Sequence, residues 1–422
     1  MKQTSKLTGI HWFTALIMGM VYTSFGNLQY LVRDYYVMYQ EANALADSQM
    51  GAILTAVGIC ATIAYAYNGI LTDLVKPKIL MSITIGLAIV AGVILFMNPG
   101  YLFSMLIFCM FALLPLWGPM SKLVVGISDD EQVSKMFGWL DFFVAVFGVA
   151  AGMIASRIVA ASGSVAAIRG LVGFYTACNV VALISVWVID KKADQSKLAA
   201  SEKGEDAFSF RKVGTLLADP NQWLQWLGVA LGYTGWLAMT YVGPMLSDVF
   251  GMDTATVTAI DAVKNNGIGL IAPLISGWLA AKYGAVRSYF LWLALYIVSA
   301  VMLVFLPWAS GLAWLIVLAG VLVATSVKGR SAISNTVITD CKTPLALFGT
   351  SVCVQSIFMS IPDMFIYTWA GNWLDQYGNG GYKYIFGLCL FFSVAGLVCN
   401  IILDRRLKAG KTSEWFFAQK KK

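Results

Sequence analysis

The sequence has little of what most soluble enzymes use for chemistry. Charged residues make up 12% of its 422 residues, whereas a soluble domain carries about 25%. It has one histidine, His11, and seven cysteines without a Cys-x-x-Cys pair, so neither a metal site nor a disulfide framework is expected. Ser-His-Asp chemistry has only His11 available, and no Gly-x-x-x-x-Gly-Lys-Ser/Thr loop occurs. The sequence therefore predicts a protein that is not an enzyme and that needs no cofactor.

Long apolar runs dominate what is present. The chain is 59% hydrophobic, and its mean hydropathy of +0.74 predicts an integral membrane protein in contact with a lipid bilayer. Twelve segments come close to the ~20 residues that a membrane-spanning helix needs. They are 10–33, 49–71, 79–98, 101–124, 136–160, 168–189, 223–246, 256–281, 287–307, 312–332, 346–373 and 382–404. The predicted fold is all-α with twelve transmembrane helices.

One long polar stretch divides these segments six and six. The predicted domains are an N-terminal six-helix bundle over 1–190, a cytoplasmic linker over 191–221, and a C-terminal bundle with a basic tail over 222–422. If the N-terminus is inside, most of the 29 Lys and Arg residues lie in cytoplasmic segments. The positive-inside rule then predicts that both termini are cytoplasmic. The net charge of +7 is explained by this topology, and no nucleic-acid partner is expected.

The two halves carry related residues. Three residues of the first half recur 211 positions later in the second half. The pairs are Asp129 and Asp340, Phe137 and Phe348, and Gly138 and Gly349. Such a repeat predicts two pseudo-symmetric six-helix bundles with a substrate site near the midplane between them.

A short basic stretch between the second and third segments carries a recognisable pattern. Over 68–78 the sequence reads Asn-Gly-Ile-Leu-Thr-Asp-Leu-Val-Lys-Pro-Lys, and its charges predict a tight loop between two membrane helices. It resembles the loop 2–3 signature of the major facilitator superfamily, Gly-x-Leu-x-Asp-x-x-Gly followed by basic residues. The matching residues are Gly69, Leu71, Asp73, Lys76 and Lys78. The second glycine is replaced by Lys76 or Pro77, depending on the alignment.

The resemblance implies secondary active transport by alternating access, with this loop as part of a gate. Gly69 and Asp73 lie one helical turn apart and share a face. Asp73 is predicted to stabilise the N-terminus of the eleventh segment in the outward-open state, and Lys76 is predicted to belong to the same gate. The second half has a degenerate copy of this motif at Gly277, in which Ala281 replaces the aspartate.

Other short motifs suggest a subfamily. Trp117-Gly118-Pro119 with Lys122, Phe137-Gly138, and Arg330 look similar to bacterial YihN-like permeases, which are close to organic-anion antiporters. This resemblance implies a small polar or anionic organic solute, driven by a proton gradient or by exchange against a second solute. It also implies a bacterial inner membrane location, and we expect a monomer.

Lys264 is the most informative charge inside a predicted span. It lies about nine residues into the eighth segment, roughly 14 Å deep, where a charge usually faces a cavity or a partner. Asp261 precedes it by three residues and shares its face. Two interpretations stay open: an internal pair with Asp261, or contact with a substrate carboxylate or phosphate, together with Asn265. The resemblance to organic-anion carriers favours the second interpretation.

Asp363, which follows Pro362 in the eleventh segment, is predicted to lie at a similar depth. It could couple transport to protons, because desolvation raises the pKa of a buried carboxylate. It could instead bind an amine or neutralise Lys264. Pro362 itself predicts a kink that permits gating.

The other candidate residues carry weaker signals. Lys122 and Arg330, near the cytoplasmic ends of the fourth and tenth segments, are predicted either to bind an anion or to act as topological anchors. Asp141 is predicted to pair with a basic residue of a gate. Predicted cavity contacts of the first and seventh segments are Asn27, Tyr233 and Trp236.

Two rival functions were weighed against the carrier. An amphiphilic drug/proton antiporter is disfavoured because the fourth segment lacks the arginine of the drug-exporter signature, and 109–113 is apolar there. A channel or a non-transporting receptor would not need two pseudo-symmetric halves. The sequence therefore favours a secondary carrier.

Overall fold

The computed structural model describes residues 7–97, 99–194 and 210–420. Every regular element in these residues is helical. The helices of the first half are α1 (Gly9–Gln29), α2 (Leu31–Asp34), α3 (Tyr36–Asn43), α4 (Asp47–Leu74), α5 (Pro77–Phe96), α6 (Tyr101–Leu113), α7 (Trp117–Ile127), α8 (Asp130–Ser162) and α9 (Ser164–Lys192). The first predicted segment is divided between α1 and α2, with α3 beyond its end, and the fourth is divided between α6 and α7.

The second half begins with a short helix after the residues 195–209, which lie outside the described part. Its helices are α10 (Phe210–Leu217), α11 (Pro220–Tyr233), α12 (Gly235–Asp248), α13 (Thr254–Asn265), α14 (Ala272–Tyr283), α15 (Ala285–Phe305), α16 (Ala313–Asp340), α17 (Leu345–Ser360), α18 (Ile366–Tyr377), α19 (Gly381–Lys408) and α20 (Ser413–Lys420). The predicted linker over 191–221 is thus partly occupied by the end of α9 and by α10.

Eight helical runs of the described chain are long and apolar enough to cross a membrane. The predicted seventh, eighth and eleventh segments are each divided. Thr234 separates α11 from α12, a 3-10 turn at Gly267–Leu270 separates α13 from α14, and a second one at Pro362–Met364 separates α17 from α18. The last break agrees with the kink predicted at Pro362, because proline cannot donate a helical hydrogen bond. Broken helices are tolerated in membranes where the irregular backbone is buried in protein or lines a cavity.

The contacts divide the chain into two compact units. Within the described residues, the first unit is drawn from Met1–Ala44, Tyr67–Gly204 and Thr254–Gly267, and the second from Leu45–Ala66, Glu205–Asp253 and Ile268–Lys422. Each unit therefore contains one segment from the opposite half of the sequence. The predicted boundaries at 190 and 222 describe the sequence halves, and as domain boundaries they stay a prediction.

Residues 47–66 of α4 belong to the second unit, and glycines let them pack closely within it. A Cβ on Gly51 would overlap the carbonyl of Tyr367, and a Cβ on Gly58 would lie 2.5 Å from the carbonyl oxygen of Asp363. Between them, Thr55 Oγ1 accepts a hydrogen bond of 3.0 Å from the backbone N–H of Thr368. Small residues of this kind let two membrane helices approach to backbone contact.

Helix α13, which belongs to the first unit, also packs against small residues. Gly148, Gly152 and Ser156 recur every four residues on α8 and share one face. A Cβ on Gly152 would overlap Ala262, and Ser156 Oγ donates a hydrogen bond of 2.6 Å to the carbonyl of Ala255. The close α8–α13 contact therefore depends on small side chains.

The basic stretch over 68–78 is less of a loop than the sequence predicted. Helix α4 continues to Leu74, and α5 starts at Pro77, because the chain has no strong helix breaker before that proline. Lys78 Nζ forms an ion pair of 2.9 Å with Asp190 at the end of α9. Gly69 and Asp73 lie outside the residues whose side chains are described, so their predicted gating role stays a prediction.

Candidate functional site

Three of the predicted substrate-binding residues line one pocket of the second unit. Tyr233, Trp236 and Arg330 line a narrow pocket where α11, α12, α15, α16 and α17 meet. We call this the basic–aromatic pocket. Its lining is Val229, Gly232, Tyr233, Trp236, Tyr289, Val327, Arg330, Ser331, Ser334 and Met359.

The break in the seventh segment positions Arg330. Gly232 lies in the last turn of α11, where backbone carbonyls lack helical partners. Arg330 Nη1 donates to the carbonyl of Gly232, and its Nε donates to the carbonyl of Ser326 at 3.2 Å. A Cβ on Gly232 would overlap Arg330 Nη1, so this approach requires glycine. The guanidinium carbon also lies 4.9 Å from the ring centroid of Tyr296.

Arg330 is a buried charge, and in the described part of the chain no acid lies close enough to pair with it. It is 3% exposed, and within residues 7–97, 99–194 and 210–420 its contacts are carbonyls and aromatic rings, with no carboxylate in ion-pair distance. Carbonyl dipoles accept hydrogen bonds from Nε and Nη1 but do not cancel the net charge of Arg330. Helix α16 continues ten residues beyond Arg330 to Asp340, so Arg330 lies ~15 Å from that end, deeper than the predicted 312–332 span suggested.

Lys328 lies beside the basic–aromatic pocket, in contact with one of its lining residues. Its Nζ lies 4.9 Å from the ring centroid of Trp236, and the rings of Tyr233 and Trp236 are 6.2 Å apart. The available signal was a second basic residue two positions before Arg330 within a long apolar run. It was counted as a topological charge instead. The pocket thus combines one cation, Arg330, with the aromatic faces of Tyr233 and Trp236, and both kinds of group can contact an organic anion.

In the first unit, Lys264 has an acid partner. Its Nζ lies 2.6 Å from Asp261 Oδ1, and the two residues are 1% and 4% exposed. This geometry corresponds to the first interpretation of Lys264, an internal pair with Asp261. Its predicted substrate contact stays a prediction, as does neutralisation by Asp363.

The predicted amides of the first unit also contact protein groups. Asn265 Nδ2 donates to the carbonyl of Asp34 at 3.2 Å, and Asn27 Nδ2 donates to Tyr175 Oη at 2.8 Å. Asp34 in turn forms an ion pair of 3.0 Å with Arg33. The structure therefore brings Asn265 together with Lys264 and Asp261 near Asp34, where their contacts hold helices together.

The remaining candidates are dispersed. Lys122 Nζ donates to the carbonyl of Thr72 at 2.7 Å, which places it at the C-terminal end of α4, where a cation is favourable. Asp141, Lys76 and Gly277 are exposed. A Cβ on Gly277 would meet no atom within 4 Å, so the second unit makes no use of its small size.

Asp363 lies in the 3-10 turn between α17 and α18. Its backbone is the surface against which Gly58 packs. Its coupling role stays a prediction. Among the described residues, no group of three His, Cys, Asp or Glu side chains is arranged to hold a metal ion.

Comparison with known proteins identifies the family of this chain. The family description "Major Facilitator Superfamily" matches residues 10–361. The inner membrane protein YihN of Escherichia coli (strain K12) is 22% identical over 389 residues, which cover 89% of this chain and 91% of YihN.

Solved structures share the fold. A bacterial homologue of the human lysosomal transporter Spinster, in an inward-facing and occupied conformation, aligns with a TM-score of 0.71 at 13% identity over 95% of this chain and 98% of its own. The nucleoside transporter NupG aligns with a TM-score of 0.68 at 12% identity over 94% and 98%. The predicted all-α membrane fold with twelve helices in two bundles is thereby confirmed as this family's fold.

Proposed function

The chain belongs to the major facilitator superfamily and is an integral, multi-pass membrane protein of a transporter family, and from this premise we propose that it carries a small anionic organic solute by alternating access. The proposed carrier is driven by a proton gradient or by exchange against a second solute. We further propose a bacterial inner membrane location, cytoplasmic termini and a monomeric state. Its relatives' names support the membrane, since YihN is an inner membrane protein.

The proposal of an anionic substrate rests mainly on the uncompensated charge of Arg330. A cation that is 3% exposed is expensive to bury unless an anion accompanies it. Lys264 already has that anion in Asp261, whereas the described contacts of Arg330 are neutral. An incoming carboxylate or phosphate supplies the missing charge, and a guanidinium can bind either group through two parallel hydrogen bonds.

The other residues of the basic–aromatic pocket favour an organic anion over a simple inorganic ion. Trp236 and Tyr233 offer ring faces 6.2 Å apart, against which an apolar or planar part of a solute can pack. Ser331 and Ser334 add hydroxyl groups to the lining. Lys328, whose Nζ lies 4.9 Å from the ring centroid of Trp236, adds positive charge beside the pocket. The supported class is therefore a small organic acid or a phosphorylated solute.

The test is a ligand screen on purified protein. Carboxylates, sugar acids and sugar phosphates are compared with neutral analogues of the same size by the rise in melting temperature, because a ligand of the folded state raises it. We expect the anions to raise it and the neutral analogues not to. The Arg330→Gln variant should bind the best anion roughly ten- to a hundredfold more weakly, since a charge-assisted contact contributes about 1.5–3 kcal/mol.

Two controls make the result specific. Arg330→Lys should keep part of the affinity, and Arg169→Gln, at an exposed position of α9, should bind like the wild type. Unchanged affinity in a monodisperse Arg330→Gln protein would reject the anion site. In liposomes, the best anion should show saturable flux that is stimulated by the same solute on the opposite side, as expected of a carrier and not of a channel.

A further inference from the structure

A second, larger cavity lies away from the basic–aromatic pocket. It is a groove of the second unit between α14, α15 and the end of α19, with about 1280 Å³ of empty space that includes open solvent. None of its lining residues belongs to the basic–aromatic pocket. We call it the interfacial groove. It is therefore a separate site from the one proposed for the transported solute.

The mouth of the interfacial groove is basic. Arg287, Arg405 and Lys408 line it together with a single acid, Asp404. Asp404 pairs with Arg287 at 3.4 Å and also with Lys408, so one carboxylate is shared between two cations. Lys282 stands at the rim, with its Nζ 5.0 Å from the ring centroid of Trp278. The groove therefore keeps a net positive charge that attracts an anion.

Its walls are apolar and exposed. Trp278 and Tyr283 are 59% and 43% exposed, and Phe290 is 37% exposed. Exposed tryptophan and tyrosine beside basic residues are typical of the boundary between lipid headgroups and hydrocarbon. Further exposed apolar side chains continue from the groove along the membrane-crossing helices α15 and α19, for example Val298 and Val398. A ligand with a charged head and long apolar chains matches both regions at once.

We propose that the interfacial groove binds an anionic phospholipid of the surrounding membrane. The phosphodiester contacts Arg405, Lys408 and Arg287, the aromatic rings of Trp278 and Tyr283 lie at the headgroup level, and the acyl chains run along α15 and α19. The positive-inside rule assigns this end of the helices to the cytoplasmic leaflet, where basic pockets between membrane helices bind anionic lipid headgroups. The bound lipid connects the α14–α15 turn to the end of α19.

The test uses the full chain in neutral detergent. Phosphatidylglycerol or phosphatidylcholine is titrated into the purified protein, and binding is read from the melting temperature and from native mass spectrometry. Phosphatidylglycerol should bind and stabilise, and phosphatidylcholine should do so much less. The Arg405→Gln/Lys408→Gln variant should bind phosphatidylglycerol roughly 30-fold more weakly, because each basic residue contributes about 1 kcal/mol to anionic lipid binding.

Two further variants test whether lipid binding depends on the charges of the interfacial groove itself. Asp404→Asn removes the competing carboxylate and should tighten phosphatidylglycerol binding by roughly fivefold, by the same ~1 kcal/mol per charge. Lys191→Gln/Lys192→Gln removes two exposed basic residues at the end of α9 and should leave the affinity unchanged. Equal stabilisation by both lipids, or an equal loss in the Lys191→Gln/Lys192→Gln control, would overturn the proposal. Inorganic phosphate that competes as well as the lipid does would reassign the groove to a free anion.

Discussion

The buried pair of Asp261 and Lys264 supports a quantitative prediction. Lys264→Met leaves the Asp261 carboxylate buried without its cation, and Asp261→Asn leaves the ammonium without its anion. Removing one partner of a buried pair costs about 3–5 kcal/mol. With exposures of 1% and 4% and an N–O distance of 2.6 Å, both groups are fully desolvated, so each single variant should lose about that much free energy of unfolding.

The double variant separates coupling from simple damage. Replacing both partners removes both charges, and this is often close to neutral. The Asp261→Asn/Lys264→Met protein should therefore be more stable than either single variant, with a coupling energy of at least about 3 kcal/mol in a double-mutant cycle. The measurement is equilibrium unfolding in mixed detergent micelles, followed by tryptophan fluorescence or circular dichroism.

The same fold provides a matched control. Asp404 and Lys408 also form an ion pair at helical spacing, but Lys408 is 55% exposed at its side chain. A cycle with Asp404→Asn and Lys408→Met should give only about 0.2–1 kcal/mol of coupling, because water screens an exposed pair. If the costs of Asp261→Asn and Lys264→Met simply add, the reasoning from burial is refuted.

The cycle also decides between the two interpretations of Lys264. If Lys264 is structural, the double variant keeps the affinity of the best anion found in the ligand screen. If Lys264 contacts the substrate, the double variant folds but loses that affinity. The second result would move the anion site from the second unit to the first.

Two further predictions concern the eleventh segment. Gly58→Ala places a Cβ 2.5 Å from the carbonyl oxygen of Asp363 and should lower the free energy of unfolding by about 1–3 kcal/mol. The control Gly86→Ala, where a Cβ meets no atom within 4 Å, should cause no loss. Equal stability of the two proteins would contradict the close packing at Gly58. Asp363→Asn should abolish uptake driven by a pH gradient and retain solute exchange in liposomes, if Asp363 carries the proton. Loss of both activities together would assign Asp363 a structural or substrate-binding role.

The sequence predicted the features that are encoded locally along the chain. Membrane insertion needs apolar runs of sufficient length, and such runs are visible without any partner. The match at Gly69, Leu71, Asp73, Lys76 and Lys78 indicated the family that the comparison over residues 10–361 confirms. The family's fold followed from these local signals.

Helix ends were harder to predict than helix cores. Hydropathy placed the end of the tenth segment near residue 332, yet α16 continues through polar residues to Asp340. For the same reason α4 extends through the predicted loop to Leu74. Backbone hydrogen bonds continue a helix regardless of polarity, so an apolar window underestimates it.

The sequence alone determined that this chain is a twelve-helix membrane protein, because the bilayer selects long apolar runs and orients them by their flanking charges. It also indicated the family, through the motif over 68–78. Only the tertiary structure decided which buried cation is compensated. Lys264 meets Asp261, which the sequence already places three residues before it. Arg330, predicted near the cytoplasmic end of its segment, is instead buried and meets a carbonyl of Gly232, 98 residues away. The energy of a buried charge depends on atoms within a few ångströms in space, and that neighbourhood exists only after helices distant in the sequence have packed.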